Sequence, residues 1–266
     1  MATANRSRPR RRYGQHFLHD PAVIRRIIQA IDPHPGRAIV EIGPGQGALT
    51  WPLLEAAGSL DVIEIDRDLA AGLARRARDG NADLRIHCMD ALRFRFDKLA
   101  EAAGPLQVVG NLPYSISTPL LFHLLEQTHA IGSMVFMLQK EVAERMMASP
   151  GSRIYGRLSV MVQYHCLLKR LLTVGRGAFR PPPRVDSVVL TLAPRPREAH
   201  RTATNYALFA QVVAQAFTSR RKTLRNALRG SFTEEDLRGL GVDPGLRPES
   251  IGVDQFVVMA NWKDCH

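Results

Sequence analysis

Cysteines, acidic residues and long apolar runs are all scarce in this chain of 266 residues. The three cysteines, Cys88, Cys166 and Cys265, are far apart, and their spacing fits neither a disulfide framework nor a metal or redox site. The nine histidines are equally scattered, so we expect no metal site. No run approaches the roughly 20 apolar residues that span a bilayer, and no apolar signal segment follows the start. These absences predict a non-secreted protein of a reducing compartment, with a cytoplasmic location and no membrane partner.

The shortage of acids makes the chain strongly basic. Its 36 lysines and arginines outnumber 25 acids, so the net charge is +11 and the isoelectric point is near 10.3. Two clusters contain no acid: Arg6, Arg8, Arg10, Arg11 and Arg12 at the start, and Arg220, Arg221, Lys222, Arg225 and Arg229 further on. Such clusters are typical of phosphate-binding surfaces and predict a nucleic-acid partner. An arginine-rich proteome is the alternative, but it explains the total charge and not the clustering.

Apolar strands alternate with helices through most of the chain. The predicted strands are 38–42, 60–66, 84–90, 106–110, 134–138, 167–174 and 185–192. Helices between or beside them carry apolar faces, and the first is expected to have Asp20 as its cap and Pro21 as its first residue. The alternation predicts an α/β fold with a doubly wound, mostly parallel sheet. Residues 179–183 contain three prolines and are expected to form a stiff extended loop.

The pattern changes near Pro194, after which it is helical only. The predicted segments are a basic flexible arm at 1–12, the α/β domain at 13–194 and a small all-α domain at 195–266. Within the last segment, helices are expected to begin at Tyr206, Thr233 and Pro248. The second basic cluster is expected on a helix.

A glycine-rich loop follows the strand at 38–42. The spacing Gly43-x-Gly45-x-Gly47 lets the backbone approach a nucleotide-type ligand and aims amide donors at it. The loop is ambiguous, because Gly43, Gly45 and Ala48 also satisfy the dinucleotide-binding fingerprint. Glu64 ends the next strand and is placed to accept ribose hydroxyls in either case. A purely structural tight turn is the remaining interpretation.

Further features favour a nucleoside that carries an amino acid. Glu41 precedes the glycines, where it could orient an ammonium group directly or through water. Asp90 ends the third strand and could accept from the exocyclic amine of an adenine, although a helix or turn cap is its simpler role. Asn111-Leu112-Pro113-Tyr114 leaves the end of the fourth strand, where ligands bind in open α/β sheets. By itself this tetrapeptide could equally be a turn.

Six motifs together carry a family resemblance. In chain order they are Gln15-x-Phe17-Leu18, Glu41-Ile42-Gly43-Pro44-Gly45, Glu64-Ile65-Asp66, Asn111-Leu112-Pro113-Tyr114, Phe179-x-Pro181-Pro182-Pro183-x-Val185-Asp186-Ser187 and Arg220-Arg221-Lys222-Thr223-Leu224-Arg225-Asn226. From about Tyr13 to Trp262 the chain resembles the S-adenosylmethionine-dependent rRNA adenine N6-dimethyltransferases of the KsgA type. Each motif alone is of weak or moderate specificity, and the set is highly specific.

The resemblance implies a Rossmann-like class I methyltransferase that uses S-adenosylmethionine. It would dimethylate the N6 amines of two adjacent adenosines near the 3′ end of 16S rRNA, act on a 30S particle as a monomer, and take part in subunit biogenesis. The cofactor site would comprise Gln15, His16, Leu18, Glu41, Gly43, Gly45, Glu64, Ile65, Asp90, Ala91 and Asn111. The residues that would bind RNA are Arg10, Arg11, Arg12, Arg220, Arg221, Lys222 and Arg225.

The resemblance also implies an acceptor site built from Asn111, Leu112, Pro113, Tyr114 and Phe179. The Asn111 side-chain oxygen and the Leu112 carbonyl would accept the two N–H bonds of the adenine amine and localise its lone pair. Tyr114 and Phe179 would stack on the two faces of an extruded base. The simpler role for Phe179 is a core anchor.

Position 16 departs from the family pattern, which usually has Asn where this chain has His16. We expect His16 to donate to the methionine carboxylate and to alter the pH dependence of cofactor binding.

Three alternatives remain at this point. One is the related group of antibiotic-resistance methyltransferases of large-subunit rRNA, against which the triple proline and the second basic motif argue. Another is a non-catalytic RNA-binding assembly factor with the same fold. The third is a nicotinamide-dependent oxidoreductase, which leaves the basic clusters and the Asn111–Tyr114 segment unexplained.

Overall fold

The computed structural model describes residues 16–196, 202–219 and 221–266. The predicted basic arm lies outside these ranges. Contacts divide the chain into two compact units. The first contains the described residues up to Ala143 together with Leu168–Pro194, and the second contains Glu144–Leu167 and the described part of Arg195–His266. The second unit therefore includes a segment from within the range that the sequence pattern assigns to the α/β domain.

A seven-stranded sheet organises the first unit. Its strands are β2 (Ile39–Ile42), β3 (Ser59–Ile63), β4 (Asp83–His87), β5 (Leu106–Asn111), β6 (Ile131–Gln139), β7 (Cys166–Val174) and β9 (Ser187–Pro194). Their order across the sheet is β4-β3-β2-β5-β6-β9-β7. The five strands from β4 to β6 are parallel, and β9 is antiparallel to β6. The predicted α/β fold with a mostly parallel, doubly wound sheet is confirmed.

The residues between the strands form helices with buried apolar stripes. These helices are α1 (Pro21–Ile31), α2 (Thr50–Ala57), α3 (Arg67–Asp79), α4 (Phe96–Ala103), α5 (Ser117–Leu125) and α6 (Lys140–Met147). The first begins as predicted, because the Asp20 carboxylate accepts from the amides of Ala22 and Val23 at 2.8 and 3.1 Å. Helix α4 was not predicted, since only Phe96 on it is buried and its apolar stripe is therefore narrow.

A second, two-stranded sheet pairs residues far apart in the chain. Strands β1 (Phe17–Leu18) and β8 (Phe179–Arg180) are antiparallel, with Leu18 opposite Phe179. The prediction of a stiff extended loop at 179–183 did not anticipate that its first two residues form a paired strand. It was right that this segment is no central strand, because the prolines that follow cannot donate to a ladder.

The order of the large sheet reverses between β2 and β5, which run side by side. Gly110 of β5 lies opposite Ile42 of β2, and a Cβ atom at Gly110 would collide with the carbonyl oxygen of Ile42. The missing side chain lets the two strands approach closely at their carboxyl ends. Gly43 and Asn111, the next residues along the two strands, are consequently neighbours at the topological switch point, where ligands bind in such sheets.

The second unit is helical apart from the start of β7. Besides the end of α6, its helices are α7 (Arg157–His165), α8 (Tyr206–Ala216), α9 (Leu224–Ala227), α10 (Glu234–Gly239) and α11 (Val253–Asp264). The predicted starts at Tyr206 and Thr233 are confirmed, with Thr233 as the N-cap of α10. Pro248 begins only a short 3₁₀ turn, and α11 starts five residues later. No helix in the described ranges is long and apolar enough to cross a bilayer.

The second basic cluster does not lie on a single helix, so that prediction was wrong. Helix α8 ends at Ala216, and the described residues Arg221 and Lys222 precede the four-residue helix α9. The cause is local, since Thr223 adopts an extended conformation as the N-cap residue of α9. Its hydroxyl accepts from the side chain of Asn226 at 3.2 Å.

Candidate active site

A pocket opens at the carboxyl ends of β2 and β5, in the first unit. It is open to solvent and spans about 780 Å³, its open mouth included. The predicted residues that line it are His16, Leu18, Glu41, Gly43, Gly45, Glu64, Ile65, Asn111, Leu112, Pro113 and Tyr114. The structure therefore brings most of the predicted cofactor residues and the Asn111–Tyr114 segment to one place.

The glycine loop forms one wall of the pocket. Gly43, Gly45 and Gly47 have φ angles of +67°, +58° and +84°, which L side chains rarely adopt. The ring of Phe17 also packs against Gly45, where a Cβ atom would lie only 3.1 Å from it. The loop thus needs glycine for its backbone conformation and, at Gly45, for contact with the N-terminal segment.

Two buried carboxyl groups face the pocket, and their pKa values are raised. Burial raises the pKa of Glu41 to about 8. The Thr50 hydroxyl donates to Glu41 Oε2 at 2.6 Å and lowers this pKa, but by less than burial raises it. Burial also raises the pKa of Glu64, against hydrogen bonds from the amides of Asp66 and Gly45. Among the described residues that line the pocket, none is lysine or arginine. The site is therefore suited to a ligand with positive charge.

The glycine loop is already bonded to one of these acids. The amide of Gly45 donates to Glu64 Oε2 at 3.1 Å, and the amide of Asp66 donates to Glu64 Oε1 at 2.9 Å. A phosphate group bound at this loop would need the same Gly45 donor and would meet the Glu64 carboxylate. The arrangement disfavours the dinucleotide interpretation of the glycine spacing.

The Asn111–Tyr114 segment is held by contacts on both sides. The Asn111 side-chain amide donates to the carbonyl of His16 at 3.2 Å, so its oxygen is the atom that it can offer as an acceptor. The amide of Leu112 donates to the carbonyl of Met137 at 3.1 Å, which ties the segment to β6. The hydroxyl of Tyr114 lies 2.9 Å from that of Ser187.

His16 lies between this segment and the triple-proline segment, Pro181–Pro183. Its Nδ1 atom is 2.8 Å from the carbonyl oxygen of Pro181, and its ring centroid is 5.6 Å from that of Tyr114. Because a carbonyl oxygen only accepts, Nδ1 must carry the proton. In the neutral ring Nε2 is then only an acceptor, so the donation to a carboxylate that we expect of His16 requires the protonated ring.

Several predicted residues lie elsewhere or cannot be placed. The Asp90 carboxylate caps a 3₁₀ turn by accepting from the amide of Leu92 at 3.0 Å, and Ala91 is buried in that turn. Phe179 is only 2% exposed and belongs to the core around Leu18. This position agrees with the simpler role of Phe179 as a core anchor. The roles of Asp90, Ala91 and Phe179 in binding stay predictions.

The RNA-binding assignments also stay predictions. Arg221, Lys222 and Arg225 are exposed on the second unit, and Arg225 pairs with Glu234 at 3.2 Å. The other residues assigned to RNA or cofactor binding lie outside the described residues. They are Arg10, Arg11, Arg12, Gln15 and Arg220.

Sequence reasoning missed several residues of the site, among them Phe17, Thr50 and Ser187. Phe17 and Ser187 lie within two of the six motifs. The motifs indicate that these residues are near the site, but not which residues they contact. Thr50 follows the glycine loop as the first residue of α2, and nothing in the sequence indicates that its hydroxyl bonds Glu41.

Comparison with known proteins agrees with this geometry. The family model described as ribosomal RNA adenine dimethylase matches residues 6–264. The chain is 52% identical over 256 residues to a ribosomal RNA small subunit methyltransferase A from Nitrosococcus oceani, covering 96% of each chain. It is 54% identical over 255 residues to the protein of that name from Aromatoleum aromaticum, covering 96% of this chain and 94% of that one.

Two crystal structures share the architecture. A dimethyladenosine transferase from Plasmodium falciparum superposes with a TM-score of 0.80 and 27% identity, covering 94% of this chain and 98% of that chain. The 23S rRNA methyltransferase ErmE superposes with a TM-score of 0.68 and 26% identity, covering 93% of this chain and 99% of that chain.

The fold and the pocket at its switch point define a Rossmann-like class I methyltransferase. The match extends over nearly the whole sequence, the helical C-terminal part included. The chain belongs to the ribosomal RNA adenine dimethylase family.

Proposed function

We propose that the protein uses S-adenosylmethionine to dimethylate the N6 amines of two adjacent adenosines near the 3′ end of 16S rRNA. The substrate is the rRNA within a small-subunit (30S) particle, and the enzyme acts as a monomer with a role in subunit biogenesis. Relatives about half identical over almost the full length are named as small-subunit rRNA methyltransferases, which supports this assignment. The exposed basic residues of the second unit are suited to the RNA backbone.

The observation that carries the cofactor assignment is the pair of buried acids at the pocket, whose ionised form a bound cation would favour. Glu41 and Glu64 are buried carboxyl groups, and the described lining contains no lysine or arginine. S-adenosylmethionine has a sulfonium and an ammonium group, whereas a nicotinamide dinucleotide has two negative phosphates. Glu41 would hold the ammonium and Glu64 the ribose hydroxyls, beside the open backbone of the glycine loop. The bound cofactor supplies a methyl group on a good leaving group.

The acceptor chemistry belongs to the Asn111–Tyr114 segment. The nitrogen of an adenine amine is a poor nucleophile, because its lone pair is conjugated into the ring. The Asn111 side-chain oxygen and the Leu112 carbonyl would accept its two N–H bonds and localise that lone pair. Tyr114 would stack on the base, a contact worth roughly 1–3 kcal/mol. Catalysis is then mainly positioning, and no strong general base is needed.

The test is methylation by an Asn111→Ala variant. Loss of an acceptor that acts in the transition state should lower methyl transfer by roughly 100- to 1,000-fold, while the dissociation constant for S-adenosylmethionine changes less than threefold. Labelled cofactor, 30S particles and mapping of the methylated bases provide the readout, and a melting curve checks folding. Near-normal methylation by the folded variant would refute the role of Asn111.

The methylation assay, together with RNA-binding and ligand-binding measurements, separates the alternatives. Methylation of free 23S rRNA in place of 30S particles would favour the large-subunit type, which the structural likeness to ErmE keeps open. Absence of methylation with tight RNA binding would favour an assembly factor. Binding of NAD instead of S-adenosylmethionine would favour the oxidoreductase.

A further inference from the structure

His16 contacts two segments that are distant from it in the chain, the Asn111–Tyr114 segment and the triple-proline segment. Its Nδ1–H donates to the carbonyl of Pro181 at 2.8 Å, 165 residues away. Its backbone carbonyl accepts from the side chain of Asn111 at 3.2 Å, 95 residues away. Its ring lies beside that of Tyr114, with a centroid distance of 5.6 Å and an interplanar angle of 33°.

These contacts act on the two residues to which the acceptor chemistry is assigned. The bond to the His16 carbonyl sets the orientation of the Asn111 amide, because it engages the nitrogen and leaves the oxygen to accept. The ring contact limits the movement of Tyr114, whose hydroxyl is bonded to Ser187 at the start of β9. The pairing of β1 with β8 anchors the backbone of the next two residues, Phe17 and Leu18.

We propose that His16 is a positioning residue that joins the Asn111–Tyr114 segment to the triple-proline segment and thereby keeps the acceptor site in its working geometry. The inference rests on the proposed methyltransferase function. It assigns His16 a task toward the adenine acceptor site, in addition to the cofactor contact expected from its place in the pocket. The link to Pro181 needs a donor at the Nδ1 position, and both the neutral ring with Nδ1–H and the protonated ring supply it.

Side-chain geometry provides a matched pair of variants. The amide nitrogen of asparagine is attached to Cγ, as is Nδ1 of histidine, so His16→Asn retains a donor that can reach Pro181. The amide nitrogen of glutamine is one bond further out, like Nε2, so His16→Gln retains a polar side chain of similar size with its donor misplaced. His16→Ala removes the link altogether.

The experiment compares kcat, the KM for 30S particles and the dissociation constant for S-adenosylmethionine in the wild type and the three variants. Displacement of reacting groups by about 1 Å can cost about 100-fold in rate. We therefore expect kcat to fall about 10- to 100-fold in His16→Gln and His16→Ala and to stay within about threefold of wild type in His16→Asn. The rates are measured at saturating cofactor, because loss of the cofactor contact expected of His16 raises the dissociation constant but does not by itself lower kcat.

Hydrogen–deuterium exchange gives a readout that does not depend on activity. Residues 112–116 and 178–187 should exchange faster in His16→Gln and His16→Ala than in wild type or His16→Asn. Equal rates and equal exchange in the Asn and Gln variants would overturn the proposal, and so would a loss confined to cofactor affinity. If the wild type lacks methyltransferase activity, the proposed function fails, while the exchange pattern still tests the link through His16.

Discussion

The affinity for S-adenosylmethionine should depend on pH through Glu41. This side chain is 2% exposed, and burial raises its pKa to about 8 despite the hydrogen bond from Thr50. At pH 6 the unliganded protein therefore has Glu41 as a neutral acid. An ammonium group beside Glu41 favours the carboxylate, so binding of the cofactor should release a proton.

The size of the effect follows from the ionised fraction of Glu41. With a pKa of about 8, this fraction rises from about 1% at pH 6 to about a quarter at pH 7.5. Since an apparent dissociation constant scales inversely with the competent fraction, the cofactor should bind about 20-fold more tightly at pH 7.5. The comparison ends at pH 7.5, because the α-amino group of an amino acid loses its proton near roughly pH 8 and the ligand then no longer has its ammonium charge.

Calorimetric titration at pH 6.0 and 7.5 checks this prediction. Two buffers with different ionisation enthalpies report the number of protons released. S-adenosylhomocysteine serves as a second ligand, because it has the same ammonium group without the sulfonium charge. The Glu41→Gln variant should bind more weakly at pH 7.5 and change less than threefold over the range. An equal pH dependence in wild type and variant would refute the reasoning.

The stability of the unliganded protein should change with pH in the opposite direction. The pKa of Glu41 in the folded chain, about 8, is higher than the ordinary value of 4.5, so the unfolded chain loses this proton first. The stabilising contribution is fully present below pH 4.5 and is lost as the pH rises through about 8. Melting temperatures of wild type should therefore fall relative to Glu41→Gln between pH 5 and 8, and parallel curves would contradict this.

Other substitutions test the fold and the proposed RNA-binding surface. Gly110→Ala should force β5 away from β2, lower stability by about 1–3 kcal/mol and impair methylation. The control substitution Gly72→Ala, on the exposed side of α3, should instead raise stability by about 1 kcal/mol. Asp61→Asn should destabilise the protein, most clearly above pH 4. Burial raises the pKa of Asp61, but His87 and Arg85 on β4, at 2.7 and 2.9 Å from its carboxylate, outweigh this and lower the pKa, so the stabilising contribution is lost in acid. Arg221→Ala with Lys222→Ala should reduce the slope of log affinity for rRNA against log salt by about one to two. Melting curves and filter binding at several salt concentrations measure these effects, and unchanged values would contradict each prediction.

Local signals in the sequence determined much of the fold. The Asp20-Pro21 helix start, the glycine spacing at Gly43–Gly47 and the alternation of strands and helices were all readable, because each reflects backbone preferences over a few residues. The prediction that the basic cluster near Lys222 lies on a helix was wrong, because a run of charges does not indicate whether a helix continues through it. The extended backbone at Thr223 interrupts the helix there.

Only the tertiary structure decided how the pocket is assembled. The bond of Glu64 to the Gly45 amide, the link from His16 to Pro181 and the burial of Phe179 against Leu18 join residues from 19 to 165 positions apart. Such contacts depend on which strands become neighbours in the sheet, and no local periodicity encodes that. The sequence by itself determined which chemical groups the protein has and in what order. The fold decided that two buried acids face a pocket with no lysine or arginine in its described lining, and that His16 joins the Asn111–Tyr114 segment to the triple-proline segment.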